Sequence, residues 1–324
     1  MDLTRICSQL NLDPLARGLQ IADAQEVARD FFPRLDTDRP ALIANLDSLA
    51  LARRVRRTLL INYPAAHEVA LVQDHRTVTR TLGTLTRDVP FAPGVVLYLP
   101  PLPEPSSPQT LAAIVARLRA PKGCPWDRKQ THTSLRRALL EETYEVVEAL
   151  DEDDPAKLRE ELGDLFLHVL FQAQIARDED EFRLAQVGEE LAAKLIRRHP
   201  HVFGEVQVAN ADEVVTNWER IKQEEKRAAG KQPARTLESN IPRELPALVR
   251  AQKIFERAQR QGITLKDGRF TPLLAKLGRG KQRERALGEL LLALTAYAEA
   301  NHLDATSALR EATARFVAKH APKS

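Results

Sequence analysis

Cysteine is almost missing from this chain: Cys7 and Cys124 are the two in 324 residues. They are far apart in sequence, which argues against a disulfide framework and makes a reducing cytoplasm the expected setting. Aromatic residues are scarce, at 5%. No run of about 18 apolar residues occurs, so no membrane-spanning helix is expected. The first residues, MDLTRICSQLNLDP, lack the apolar core and small-residue cleavage site of a signal peptide. An excess of one charge is missing too. The 48 basic and 45 acidic residues leave a net charge of +3, whereas a dedicated nucleic-acid binder shows a basic patch or stripe. Neither nucleic acid nor membrane is an expected partner.

What the chain has in quantity is Ala, Leu, Arg and Glu, a composition that favours helices. The reading is therefore mainly α, with a small α/β segment at residues 1–105. There EVALVQ (68–73) and GVVLYLP (94–100) read as short buried strands. Leu15–Ala28 and Arg39–Leu60 read as helices. The prolines of LPPLPEPSSPQ (99–109) block helix and mark a linker.

From Leu111 onward the pattern is helical. LAAIVARLRA is a short helix stopped by PKGCPWD. Thr133 or Ser134 is placed to cap the next helix, which runs to about Leu150. Asp154 is a good cap and Pro155 a good first residue for another helix, to about Ala176. Its apolar stripe is Leu162, Leu165, Phe166, Val169, Leu170 and Ala173, and His168 reads as a satisfied histidine at its rim. Helices are also expected at 182–198 and 211–229, the latter fraying into a polar linker by residue 236.

Two of these helices carry acids at helical spacing. Glu141, Glu142 and Glu145 lie on the first, Glu161 and Asp164 on the second. Residues three or four apart share a helix face, so two antiparallel helices can aim these carboxylates at one place. Such a cluster repels itself unless a cation joins it. Hard oxygen ligands without Cys or His suit Mg²⁺ or Mn²⁺, and such sites serve phosphate chemistry. The competing reading is a solvated face whose acids pair with Arg136, Arg137, Lys157 and Arg159.

The chain also repeats itself. ELGDLF (161–166) matches ALGELL (286–291), and AKLIRRHP (193–200) matches ARFVAKHA (314–321). Repeated helical units suggest duplication. The second copy has Ala286 and Glu289 where the first has Glu161 and Asp164, and nothing upstream of it corresponds to EETYE. It is expected to pack without binding metal.

GCPWDRKQTHTSL, LEETYEVVEAL, LREELGDLFLHVLFQAQ, RRHPHVFG and NWERIKQEEK, in that order over 123–226, resemble the MazG family of nucleoside triphosphate pyrophosphohydrolases. Its EExxE, spacer, ExxD pattern falls on Glu141, Glu142, Glu145, Glu161 and Asp164. The resemblance implies a catalytic helical domain at 106–236 and a degenerate second repeat at 237–324, with SNIPRELPALVRAQKIFERA leading into it. GLQIADAQEVA, RPALIANLDSLALARRVRRTLLINYPAAHEVALVQ and VLYLPPLP, within residues 1–105, resemble, more weakly, the C-terminal half of a tetrapyrrole methylase domain. The Gly-rich half that contributes most of the S-adenosylmethionine pocket is not in this sequence, so a remnant without methyl transfer or bound S-adenosylmethionine is expected.

The MazG resemblance implies hydrolysis between the α- and β-phosphates, giving a nucleoside monophosphate and diphosphate from ordinary or damaged nucleotides. Glu142, Glu145, Glu161 and Asp164 are then the metal ligands, and Glu141, Glu142 and Glu145 the catalytic acids. Lys222 and Lys226, with Lys157 and Arg159, are candidates to meet the phosphates, and Trp126 to stack on the base. Burial of Trp126 as anchor of the CPWD turn is the rival reading. Arg197, Arg198, His199 and His201 are placed for a phosphate or loop-closing role, or for packing. Cys124 reads as structural. A homodimer is expected. The alternative is a non-catalytic nucleotide-binding or scaffold protein.

Overall fold

The computed structural model describes residues 2–88, 91–228, 230, 237–238, 241–260, 262–263 and 283–320. It divides into two compact units, Met1–Ala193 and Lys194–Ser324.

The first unit opens with a five-stranded sheet in the order β1-β2-β5-β3-β4. The strands are β1 (Gln20–Asp23), β2 (Ala41–Ala44), β3 (Glu68–Gln73), β4 (Arg76–Thr81) and β5 (Val96–Leu99). β1 runs parallel to β2, and the remaining pairings are antiparallel. Asp74, with φ of 51°, makes the reversal of the β3–β4 hairpin. Ile43, Val69, Leu71, Leu97 and Leu99 meet α2 (Ala24–Arg29) and α3 (Leu49–Leu59) on one face. Leu42, Val72 and Val96 meet Ile6 of α1 (Leu3–Gln9) on the other.

The strands expected at 68–73 and 94–100 are β3 and β5. The helices expected at Leu15–Ala28 and Arg39–Leu60 both contain strands. Asp23 caps α2 by accepting from Gln25 N at 2.8 Å, so helix begins at Ala24, and Gln20–Asp23 pairs with β2. Ala41–Ala44 is buried on both faces, and a fully buried four-residue strand has no alternation to reveal it.

The helical part of this unit has its own core. Val115 on α4 (Pro108–Arg119) packs with Leu135 and with Leu170, Phe171 and Ile175 on α6 (Pro155–Asp178). α5 (Arg136–Asp151) packs along α6. The link 99–109 is pinned rather than loose: Asp38 accepts from Ser106 N at 2.9 Å and Ser107 N at 3.1 Å. Burial works against the Asp38 charge, but these bonds and those to the Thr110 and Ser107 hydroxyls hold its pKa down to about 2.

α6 extends two residues beyond the expected end and is capped as read. Asp154 Oδ1 accepts from Ala156 N at 2.9 Å and Lys157 N at 3.1 Å. α5 starts later than expected, at Arg136, and no side chain caps it. Ser134 is engaged with Thr131 and Gln130 instead. α7 (Leu184–Arg198) crosses the division between the units.

The second unit holds α8 (Pro200–Phe203), α9 (Ala211–Ala228), α10 (Ala247–Arg260), α11 (Arg283–Ala300) and α12 (Ala305–His320). α10, α11 and α12 pack against one another. ELGDLF lies on α6 and ALGELL on α11. Most of the segment expected to lack an EETYE counterpart lies outside the described residues, as do 231–236. No described helix is long and apolar enough to cross a membrane.

Candidate functional site

The α5–α6 hairpin is closed by Glu152–Asp154, with Asp153 at φ of 52° making the reversal. That turn brings Glu142 and Glu145 of α5 beside Glu161 of α6. One carboxylate oxygen from each lies within 4.8 Å of the others. Asp164 stands one turn beyond Glu161 and acts electrostatically on both Glu142 and Glu161.

No Lys or Arg ion pair reaches Glu142, Glu145, Glu161 or Asp164 among the described residues. Burial, then repulsion from Glu145, Asp164 and Glu161, pushes Glu142 above the usual carboxylate range, and a hydrogen bond with Glu145 adds to the rise. Burial and then Glu145, Glu160 and Asp164 push Glu161 up, with a small offset from Lys157. A cluster of acids held together at this cost has the chemistry of a hard-cation site.

The other expected residues fall in different places. Glu141 is exposed and held by Arg137 at 2.8 Å on its own helix, outside the cluster. Lys157 binds Glu148 at 2.7 Å and Glu152 at 3.0 Å, and those bonds push its pKa up. Arg159 is exposed. Of the pairings in the rival surface reading, Arg137 with Glu141 is present, while Lys157 is turned to Glu148 and Glu152.

His168 is buried, not a satisfied rim residue, and its Nδ1 has no hydrogen-bond partner among the described residues. Burial lowers its pKa, opposed by Asp164.

Trp126 is 64% exposed, so it is not the anchor of the CPWD turn. Arg119 does that work. It donates to the carbonyls of Asp127 at 2.7 Å and Gln130 at 3.1 Å and pairs with Asp178 at 2.8 Å. Gly123 serves the same turn: a Cβ there would stand 2.1 Å from the Leu118 carbonyl oxygen. Cys124 bonds through its backbone to that oxygen and its thiol is free, in keeping with a structural role.

In the second unit Glu225 gathers the basic pair. Arg197 reaches it at 2.6 Å and Arg198 at 2.5 Å. Arg198, then Arg197, hold Glu225 down to about 2 against burial. Arg198 lies over the Trp218 ring at 5.1 Å from its centre, and Lys222 at 4.5 Å. The sequence carries the Lys222 contact as an i,i+4 Trp-Lys pair on α9, a signal easily taken for ordinary surface. His199 donates from Nδ1 to the Leu195 carbonyl at 2.7 Å, and His201 lies 5.7 Å from it, ring to ring. The Lys226 side chain lies outside the described residues.

A paired α-helical hairpin with an all-carboxylate cluster defines a class, and comparison with known proteins supplies its family. The MazG nucleotide pyrophosphohydrolase domain matches residues 130–203. The protein named nucleoside triphosphate pyrophosphohydrolase/pyrophosphatase MazG of Thermotoga maritima is 40% identical over 217 residues, 64% of this chain and 82% of that one. The chain therefore belongs to the MazG family of nucleotide pyrophosphohydrolases, which are hydrolases.

The uncharacterized protein YabN of Bacillus subtilis is 37% identical over 256 residues, 76% of this chain and 50% of its own length. The nucleoside triphosphate pyrophosphohydrolase of Escherichia coli is 45% identical over 154 residues, 47% of this chain and 57% of its own length. The chain thus spans about half the length of these two relatives.

Proposed function

We propose that this chain is a Mg²⁺-dependent nucleoside triphosphate pyrophosphohydrolase, releasing a nucleoside monophosphate and diphosphate. The observation that carries the proposal is the convergence of Glu142, Glu145 and Glu161 oxygens within 4.8 Å, across two helices. Glu142, Glu145, Glu161 and Asp164 would hold the metal; Mn²⁺ suits the same oxygens. When bound, such an ion screens triphosphate charge and lowers the pKa of a water.

The chain's own residues do the rest. Glu142 and Glu145 would turn their oxygens to the ion and, through their charge, fix where it sits on the hairpin. Glu141, beside them on α5, orients the attacking water or takes its proton. Lys157 would exchange Glu148 and Glu152 for phosphate oxygens, with Arg159, Lys222 and Lys226 as further phosphate partners. Trp126, exposed as it is, offers a ring face to a base. The substrates proposed are ordinary or damaged nucleotides, in a house-cleaning role in the cytoplasm.

We further propose a homodimer, a second repeat at 237–324 that packs without metal, and a methylase-like segment at 1–105 that serves as scaffold. Apolar side chains such as Leu140, Tyr144, Leu162 and Val169 remain at least 43% exposed on α5 and α6, and patches of this kind mark interaction surfaces.

Glu142→Ala and Asp164→Ala should each abolish hydrolysis with unchanged far-ultraviolet circular dichroism. The loss should exceed the ~10–100-fold that removal of a supporting partner of a metal ligand costs. Retained turnover in either variant, with Mg²⁺ present, would place the site elsewhere.

A further inference from the structure

We propose that His132, Glu179 and Glu181 form a second divalent-metal site, of zinc type, separate from the carboxylate cluster. One ligand atom from each of the three lies within 4.8 Å of the other two.

The local structure builds this arrangement from both sides. α6 ends at Asp178, and Asp180 takes the left-handed conformation, φ 57°, one that Asp tolerates. Glu181 N then closes onto Ala176 O at 2.8 Å and Glu179 N onto Ile175 O at 3.0 Å. This reversal brings the two flanking carboxylates close together. Opposite them, Thr131 and Ser134 exchange hydrogen bonds, 2.9 Å and 3.2 Å, that fix the loop carrying His132.

The imidazole is oriented as metal-bound imidazoles are. Nδ1 bonds Gln172 Oε1. An amide oxygen only accepts, so Nδ1 carries a proton and Nε2 is the nitrogen turned toward the carboxylates. That Nε2 is shut off from solvent and makes no hydrogen bond among the described residues, although Glu181 Oε2 stands 3.3 Å away. A cation joins this nitrogen to the carboxylates, and a metal ion on the neutral imidazole supplies one. Tetrahedral zinc, with bonds of about 2.0–2.1 Å, needs donors roughly 3.3 Å apart. Imidazole with carboxylates favours zinc and its transition-metal neighbours over Mg²⁺, and an outer partner on the second imidazole nitrogen is their usual companion.

The site has a place in the architecture. Residues 152–154 close one end of the α5–α6 hairpin; the segment before α5 and the residues after α6 form its open end. A metal bridging His132 to Glu179 and Glu181 ties that end shut and steadies both helices of the acidic cluster.

Zinc titration by calorimetry tests this without activity. The host is Glu142→Gln/Glu161→Gln full-length protein, in which the first cluster is disabled. One Zn²⁺ per chain should bind. His132→Gln in that host should remove it, and Gln172→Ala should weaken it by ~10–100-fold. Co²⁺ should give a visible absorption band that His132→Gln eliminates. Circular dichroism of the metal-free variants checks the fold. Should His132→Gln fail to fold, Glu179→Gln/Glu181→Gln, at exposed positions, takes its place with the same loss expected. No stoichiometric Zn²⁺ in the host, or binding unchanged by these substitutions, overturns the proposal and leaves an ion pair of His132 with Glu181.

Discussion

Glu142 has a raised pKa because burial and the acids around it disfavour its charge, and Glu161 is raised for like reasons. In both, the folded chain keeps a proton that the unfolded chain has released, from the ordinary value of 4.5 upward. Metal-free stability therefore falls as pH rises through that window. Melting temperatures in chelator should show this fall for the wild type and a smaller one for Glu142→Gln. Excess Mg²⁺ should flatten it, since the ion stabilises the ionised cluster. An identical slope in both proteins would separate the cluster from the effect. Glu225 has the opposite sign. Its pKa is held near 2, so its contribution is full above 4.5 and is lost as pH falls toward 2. Arg198→Ala should cost about 1.5–3 kcal/mol at neutral pH, the range for charged hydrogen bonds, with the gap to wild type closing at acid pH in denaturant titrations.

The hairpin is the element on which the cluster depends, and its closing turn was written plainly. Asp154-Pro155 starts α6 as read, because a capping carboxylate and a ring-locked φ act locally and need no tertiary partner. Asp154→Ala should cost about 1 kcal/mol by loss of the cap, read as a shift of the urea midpoint. The same legibility covers the acids, whose three-residue spacing places them on a face before any packing is known. Ala41–Ala44 was not legible, since its strand character comes from β1 and β5 on either side. Nor was the pairing of Lys157 with Glu148 and Glu152, which depends on the turn between the helices. Arg119 went unread as an anchor because its partners, Asp127, Gln130 and Asp178, belong to separate stretches of chain. His132 gains meaning only through residues some forty positions away, Gln172 among them.

Across the whole molecule, apolar side chains stay exposed on α5, α6 and α7. Sedimentation should find a particle of twice the 36.3 kDa chain mass; a single chain at micromolar concentration would contradict the homodimer. The central claim is that the cluster on α5 and α6 makes this family member cleave between the first two phosphates of a nucleotide. Phosphorus resonance of a nucleoside triphosphate incubated with the full chain and Mg²⁺ tests it most directly. The account predicts monophosphate and diphosphate appearing together, and neither with Glu142→Gln. Nucleoside diphosphate with orthophosphate, or no turnover by the wild type, would contradict it.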